Sequence, residues 1–144
     1  MALSKKKNNE SKNMHFSRED QKKILSSSSP FIVKEAYSSI RTNLLFSQKG
    51  DECPVFIVTS PTANNGKSIN SVNMAVSFAQ MGKKTLLIDA DMRNPTVHRL
   101  FSIPVKNGLS EILAGLTDNI TVSKTDIENL SVLTAGKIPP NPSE

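Results

Sequence analysis

The stretch that most limits what this chain can become is Ser60-Pro61-Thr62-Ala63-Asn64-Asn65-Gly66-Lys67-Ser68. An apolar run, Val55-Phe56-Ile57-Val58, leads into it, and Ile69 to Met81 leads out with Ile69, Val72, Val76 and Ala79 at helical spacing. Strand, tight turn, Gly-Lys-Ser and helix is the layout of a phosphate-binding loop. Backbone N–H groups at a helix start have no partner within the helix, and the helix dipole adds partial positive charge there. A polyphosphate satisfies both. Lys67 adds a full charge for the outer phosphates, and the Ser68 hydroxyl is a natural ligand for magnesium, which takes a few protein oxygens beside phosphate oxygens. The loop departs from the usual pattern: Pro61 stands at the first glycine position, and Asn64 and Asn65 replace residues that are commonly glycine. Asn tolerates positive φ better than most residues, so the turn remains accessible. Gly-Lys-Ser alone also fits a surface helix start with a solvated lysine; the flanking strand and helix favour the nucleotide.

A second apolar run, Thr85-Leu86-Leu87-Ile88, follows Gly82, which is placed to close the helix. It ends in Asp89-Ala90-Asp91-Met92-Arg93. Unalternating apolar runs suit parallel strands buried on both faces. Pro54–Thr59 and 85–88 with the helix between them therefore predict one right-handed βαβ unit. Ligands of such sheets bind beyond the carboxyl ends of the strands, where Lys67 and Ser68 would meet Asp89 and Asp91. Paired carboxylates there can hold magnesium, and one can accept a proton from an attacking hydroxyl. The alternative is that Asp89 only ends a strand or caps the next helix.

Elsewhere the sequence predicts a helix over 34–47 with Ala36, Ile40 and Leu44 on one face, and a short helix over Thr96–Leu100 opened by Asn94-Pro95. A further short helix covers 109–115, and a third strand covers Leu130–Thr134. In the helix after the loop, Ser71, Asn73, Ser77 and Gln80 fall outside the apolar stripe. His98 is read as a packing or surface residue. Gly50-Asp51-Glu52 is read as a turn.

Residues 1–30 are polar and end in Ser26-Ser27-Ser28-Ser29-Pro30, which predicts a flexible basic leader ahead of a single domain over 31–144. Ten Lys and Arg against four Asp and Glu lie in residues 1–50, and eight against nine in the remainder. The basic excess thus belongs to the leader. It could attract anionic lipid or nucleic acid, but no aromatic residues interleave it, so it is read as a solvated tail and no nucleic-acid partner is expected. The single cysteine, Cys53, excludes an internal disulfide and any multi-cysteine metal site. Residues 1–29 lack the apolar segment of a signal peptide, and no run approaches a membrane span, so a cytoplasmic protein is expected. Three strands make a thin sheet, and a parallel sheet needs both faces covered. The fold class expected is therefore α/β, a P-loop NTPase-like parallel sheet flanked by helices and incomplete at its C-terminal end.

Four stretches together resemble a known family. They are Glu35-Ala36-Tyr37 with Ile40-Arg41-Thr42-Asn43, then Thr59 to Ser68, then Leu86 to Thr96, then Leu133-Thr134-Ala135-Gly136 with Pro139-Pro140-Asn141-Pro142-Ser143-Glu144. Their order and spacing over residues 33–144 are similar to those of the bacterial tyrosine kinases of capsular and exopolysaccharide synthesis. The resemblance implies ATP with magnesium as cofactors and phosphorylation of protein tyrosines, including a tail cluster on a neighbouring subunit of a homo-oligomer. It also implies a membrane polysaccharide co-polymerase as activating partner, which would recruit the protein to the membrane. By position, Lys67 and Ser68 match the Walker A lysine and hydroxyl, with Asn64, Asn65 and Gly66 completing the nucleotide loop. Asp89 and Asp91 match the second, Asp-x-Asp motif, taken to serve magnesium and hydroxyl activation, and Arg93 matches its arginine. Glu35 and Arg41 match the ends of a Glu-x-x-Arg-x-x-Arg subunit-contact motif whose middle arginine is Ser38 here. No counterpart of the family's Walker B strand or tyrosine-rich tail occurs before residue 144. Tyr37 is the only tyrosine. Thr62 stands where related partition ATPases carry a second lysine. The expected activity is that of a protein-tyrosine kinase, inactive as an isolated 144-residue chain; the alternative is a non-catalytic nucleotide-binding module that binds the co-polymerase.

Overall fold

A computed structural model of the chain describes residues 19–48, 50, 53–62 and 64–142. The basic cluster before residue 19, the turn at Asp51-Glu52, Ala63 of the loop and the last two residues lie outside the described residues.

In chain order the elements are α1 (Phe31–Ser47), α2 (Lys67–Gln80), β1 (Thr85–Ile88), α3 (Val97–Leu100), α4 (Leu109–Leu113), β2 (Ser123–Lys124) and β3 (Leu130–Leu133). The sheet runs β1-β3-β2. β1 and β3 are parallel, with Thr85 opposite Leu130 and Ile88 opposite Leu133. β2 pairs antiparallel with β3, Ser123 facing Val132. The α/β class holds, but the sheet is mixed rather than parallel.

The strand expected over Pro54–Thr59 is not formed: these residues pair with no strand among those described. Val55 and Ile57 are 82% and 89% exposed, while Phe56 turns inward and stacks on Phe78 of α2 at 5.6 Å between ring centroids. An apolar run becomes a strand only where a neighbour takes up its backbone N–H and C=O groups. β1 and β3 are joined to each other instead, so the expected βαβ unit around α2 lacks its first strand.

The core follows the periodicity of α2. Val72, Val76 and Ala79 are buried against Leu87, Val97, Leu100, Leu130 and Val132, with Ile69 packed beside them. Two residues placed outside that stripe, Asn73 and Ser77, are also buried. They lie under α1 and the segment before it, because α2 is covered on a second side. Asn73 Oδ1 accepts from the Leu25 backbone at 2.8 Å, and its Nδ2 donates to the Lys23 carbonyl at 3.0 Å. Ser77 offers its carbonyl and hydroxyl to Arg41 Nη1 at 2.8 and 2.9 Å.

The expected leader therefore divides. From residue 19 on it straps across the domain: Gln21 Nε2 donates to the Arg99 carbonyl and the Ser102 hydroxyl, and Leu25 is 4% exposed within the core. Burying one leucine is worth about 1.5–3 kcal/mol, and the bonds made by Gln21, Lys23 and Leu25 add to it. A serine-rich composition hid these anchors.

α1 starts three residues earlier than predicted, directly after Pro30. Its inward side is Tyr37, Arg41, Leu44 and Leu45, whereas Ala36 and Ile40 are exposed. The predicted stripe was thus rotated outward by about one residue. α3 also differs: it opens at Thr96, with no side-chain cap bond of its own, rather than through Asn94-Pro95. At the end of β3 the chain turns at Gly136 (φ 84°) directly above Glu111 and Ser110, an approach that leaves no room for a β-carbon.

Candidate functional site

The candidate phosphate loop is built from residues whose backbone and side chains agree. Asn64 takes φ 61°, the left-handed conformation foreseen for it, and Gly66 takes φ 73°. Asn65 Nδ2 donates to the Thr62 hydroxyl at 2.6 Å, and the Ser60 hydroxyl donates to the Thr62 carbonyl at 2.9 Å. Asn side chains thus supply the local bonds that let a glycine-poor loop turn. α2 then begins at Lys67, and no side chain caps its N-terminus. Lys67 and Ser68 lie in the first turn, with the helix N–H groups directed out of the end of a 14-residue helix.

Across from this end, Asp91 comes from the segment after β1. Lys67 Nζ lies 2.7 Å from Asp91 Oδ2 in a partly exposed ion pair. The Lys67 ammonium hydrogen bond holds the Asp91 carboxyl below the usual carboxylate range; partial burial opposes this, and the backbone N–H groups of Asn94 and Arg93 support it. Asn94 donates to Asp91 Oδ1 at 3.0 Å. Arg93 is exposed on the same turn.

Asp89 is placed differently. It is 5% exposed, and its carboxylate takes three backbone donors: Asp91 at 3.1 Å on Oδ1, and Thr96 and Val97 at 3.2 and 3.1 Å on Oδ2. It caps α3 from seven residues away and ties the Asp-x-Asp turn to that helix. The capping role weighed in the sequence is therefore present, beside the carboxylate pair. His98, in α3, is partly buried; burial and the Arg99 charge push its imidazole below the ordinary value against the opposing pull of Asp89.

The two contact-motif residues separate. Glu35 is exposed on α1, whereas Arg41 turns inward onto Ser77, and its Nε is buried with no hydrogen-bond partner among the described residues. Residues missed by sequence reasoning lie between α1 and the loop. Tyr37 Oη donates to Asn70 Oδ1 at 2.7 Å and accepts from Asn73 Nδ2 at 3.2 Å, and Asn70 Nδ2 donates to the Gly66 carbonyl at 3.0 Å. Their signal was the recurrence of Asn70, Asn73 and Ser77 at helical spacing.

The residues present fit a polyphosphate with magnesium. The donors would be an uncapped helix end and an ammonium, and the hard oxygen ligands would be the Ser68 hydroxyl and the Asp91 carboxylate. Among the described residues no group of three or more His, Cys, Asp or Glu is placed to hold a metal ion.

No protein-family model matches the chain. It is 46% identical over 113 residues to CapB of Staphylococcus aureus, covering 78% of this chain and 50% of that protein. It is 40% identical over 126 residues to the tyrosine-protein kinase YwqD of Bacillus subtilis, covering 86% of this chain and 53% of that protein. Among solved structures, the BceF tyrosine kinase domain superposes with a TM-score of 0.72 at 40% identity, over 83% of this chain and 48% of that one. The chain spans about half the length of the relatives it matches. Likeness in sequence and in three dimensions points the same way: over its matched length the chain is similar to bacterial tyrosine-protein kinases.

Proposed function

We propose that the chain is the ATP-binding portion of a protein-tyrosine kinase that regulates capsular or exopolysaccharide synthesis. The observation that carries this is the meeting of Lys67 and Ser68, in the first turn of an uncapped helix, with Asp91 at 2.7 Å from Lys67 Nζ. ATP with magnesium supplies the transferable phosphoryl group and screens its charge. Lys67 and the N–H groups of the Asn64–Gly66 turn bind and orient the phosphates. Ser68 and Asp91 would hold the magnesium ion. Asp91 Oδ2 is the group placed to accept the proton of an incoming tyrosine hydroxyl, once Lys67 turns to phosphate. Its pairing with Lys67 is partly exposed and worth only about 0–1 kcal/mol, so phosphate competes for the lysine at little cost. Asp89 would complete the site by fixing the turn that carries Asp91 and Arg93. Glu35 is the exposed member of the contact motif available to a neighbouring subunit, and a membrane polysaccharide co-polymerase is the activating partner that recruits the chain to the membrane.

Calorimetry of the chain with ATP and magnesium tests this. Binding that Lys67→Met weakens by at least about tenfold, the loss of one charge-assisted contact, is expected. Absence of binding at millimolar ATP defeats it. The alternative reading is a nucleotide-binding module without turnover. ATP binding with no phosphotyrosine on any added co-polymerase or tail peptide would select that reading.

A further inference from the structure

The hydroxyl of Tyr37 sits in a hydrogen-bond chain with a single consistent direction. Asn73 Nδ2 donates to Tyr37 Oη, Tyr37 Oη donates to Asn70 Oδ1, and Asn70 Nδ2 donates to the Gly66 carbonyl. Each member is constrained at its far end. Asn73 is 3% exposed and committed through Oδ1 to the Leu25 backbone and through Nδ2 to the Lys23 carbonyl as well. Because Asn73 can only donate to Tyr37, the phenol proton must point to Asn70. Because Asn70 Oδ1 accepts that proton, its amide NH2 must face Gly66. The Gly66 carbonyl also accepts the Asn70 backbone N–H at 3.0 Å, so it is held by two donors. Gly66 is the left-handed residue that turns the loop into α2, immediately before Lys67. Its orientation sets where the N–H groups of the helix end and the Lys67 stem point.

We propose that Tyr37 is a positioning residue for the phosphate loop, acting through Asn70 on Gly66, and that it thereby ties α1 and the strap at Lys23–Leu25 to the nucleotide site. The phenol is not a catalytic residue: it touches no reacting atom. This rests on the reading of Lys67 and Ser68 as nucleotide ligands. It predicts that whatever shifts α1, the helix that also presents Glu35, alters the affinity of the loop.

The test is Tyr37→Phe in the full chain, which keeps the ring in place and removes only the hydroxyl. Two measurements are made. Amide hydrogen exchange in nucleotide-free protein is expected to speed up several-fold at 66–70 while β1 and β3 stay unchanged. Affinity for ATP with magnesium is expected to fall about 3- to 10-fold, the worth of one hydrogen bond. Asn70→Ala should lower affinity similarly, and the double variant should be no worse than Asn70→Ala alone. Unchanged exchange at 66–70 overturns the proposal whether or not nucleotide binds. Faster exchange with unchanged affinity also overturns it, since the hydroxyl would then serve packing only. If the parent chain binds no ATP, the kinase reading fails, and the exchange result alone decides whether Tyr37 holds the loop.

Discussion

Replacing Asp89 with asparagine should unfold this protein more readily than its nearness to the nucleotide site would suggest. The carboxylate accepts three backbone N–H groups at 3.1–3.2 Å while 5% exposed. Asparagine keeps one acceptor oxygen. If that oxygen remains on Thr96 and Val97, the new NH2 group opposes the Asp91 N–H, which loses its partner. A hydrogen bond to a charged group is worth about 1.5–3 kcal/mol and a neutral one about 0.5–1.5, so one bond is lost and two are weakened by about 1 kcal/mol each. Partial relaxation of the turn reduces the total, leaving about 3 kcal/mol out of an expected stability of about 5–15. Urea unfolding is the assay. With a slope of about 1–3 kcal/mol/M, the midpoint should drop by about 1–3 M. Asp91→Asn is the control, because its ion pair is partly exposed and should cost about 1 kcal/mol or less. The reasoning is refuted if the two variants lose equal, small amounts, below about 0.5 kcal/mol; Asp89 would then act at the nucleotide site without holding the fold.

Two other outcomes follow from single residues. Arg41→Met should cost about 1–2 kcal/mol in urea unfolding of the monomer, since it removes the two bonds to Ser77; if sedimentation shows only altered oligomer size with unchanged monomer stability, Arg41 is a subunit contact instead. Burial alone would raise the Glu111 carboxyl, but the Gly108 and Lys137 N–H groups and the Ser110 hydroxyl outweigh it and hold the group below the usual range. A depressed folded value means that its contribution is complete above the unfolded pKa near 4.3 and is lost as pH falls through the folded value. The stability gap between the parent and Glu111→Gln should therefore be constant from pH 7 to 5.5 and shrink toward pH 3, as read by urea midpoints across that range; a gap independent of pH would show that the carboxylate is not the species bound.

What the sequence disclosed, it disclosed through periodicity and local chemistry. The apolar stripe of α2, the positive φ of Asn64, the Lys67-Ser68 helix start and the strands at 85 and 130 all depend on residues within a few positions of one another. Patterns of that range are what spacing can encode. The failures share the opposite property. Val55–Val58 reads as a buried strand because hydrophobicity reports a preference for burial, not the presence of a neighbour to take the ladder bonds. The strap at 19–30 was read as free because its attachment rests on Leu25 and on polar bonds to distant residues, Gln21 to Arg99 and Ser102 and the Lys23–Leu25 backbone to Asn73. Asp89 was weighed as ligand or cap, and only the fold of 96–97 back toward β1 decides how many of its lone pairs are taken.

The seam between α1 and α2 shows how such long-range pairing is nevertheless written. Asn70, Asn73 and Ser77 recur at three and four along one side of α2, and Tyr37 and Arg41 stand four apart on α1. A polar stripe of that period beside an apolar one is wasted on solvent if lysine or glutamate would serve, and here the residues are short amides and a hydroxyl that lose little entropy on burial. An apolar seam would let α1 slide along α2 at small cost. The bonds Tyr37–Asn70, Asn73–Tyr37 and Arg41–Ser77 run between the two helices and together fix one axial register. A shift by one residue would break the Asn73–Tyr37 bond and leave the Ser77 hydroxyl and the Arg41 guanidinium without each other, at about 1–3 kcal/mol for each buried group left unpaired. The register that avoids that penalty is the one that puts the Tyr37 hydroxyl on Asn70, and through it a second donor on the Gly66 carbonyl, where the proposed phosphate loop enters α2.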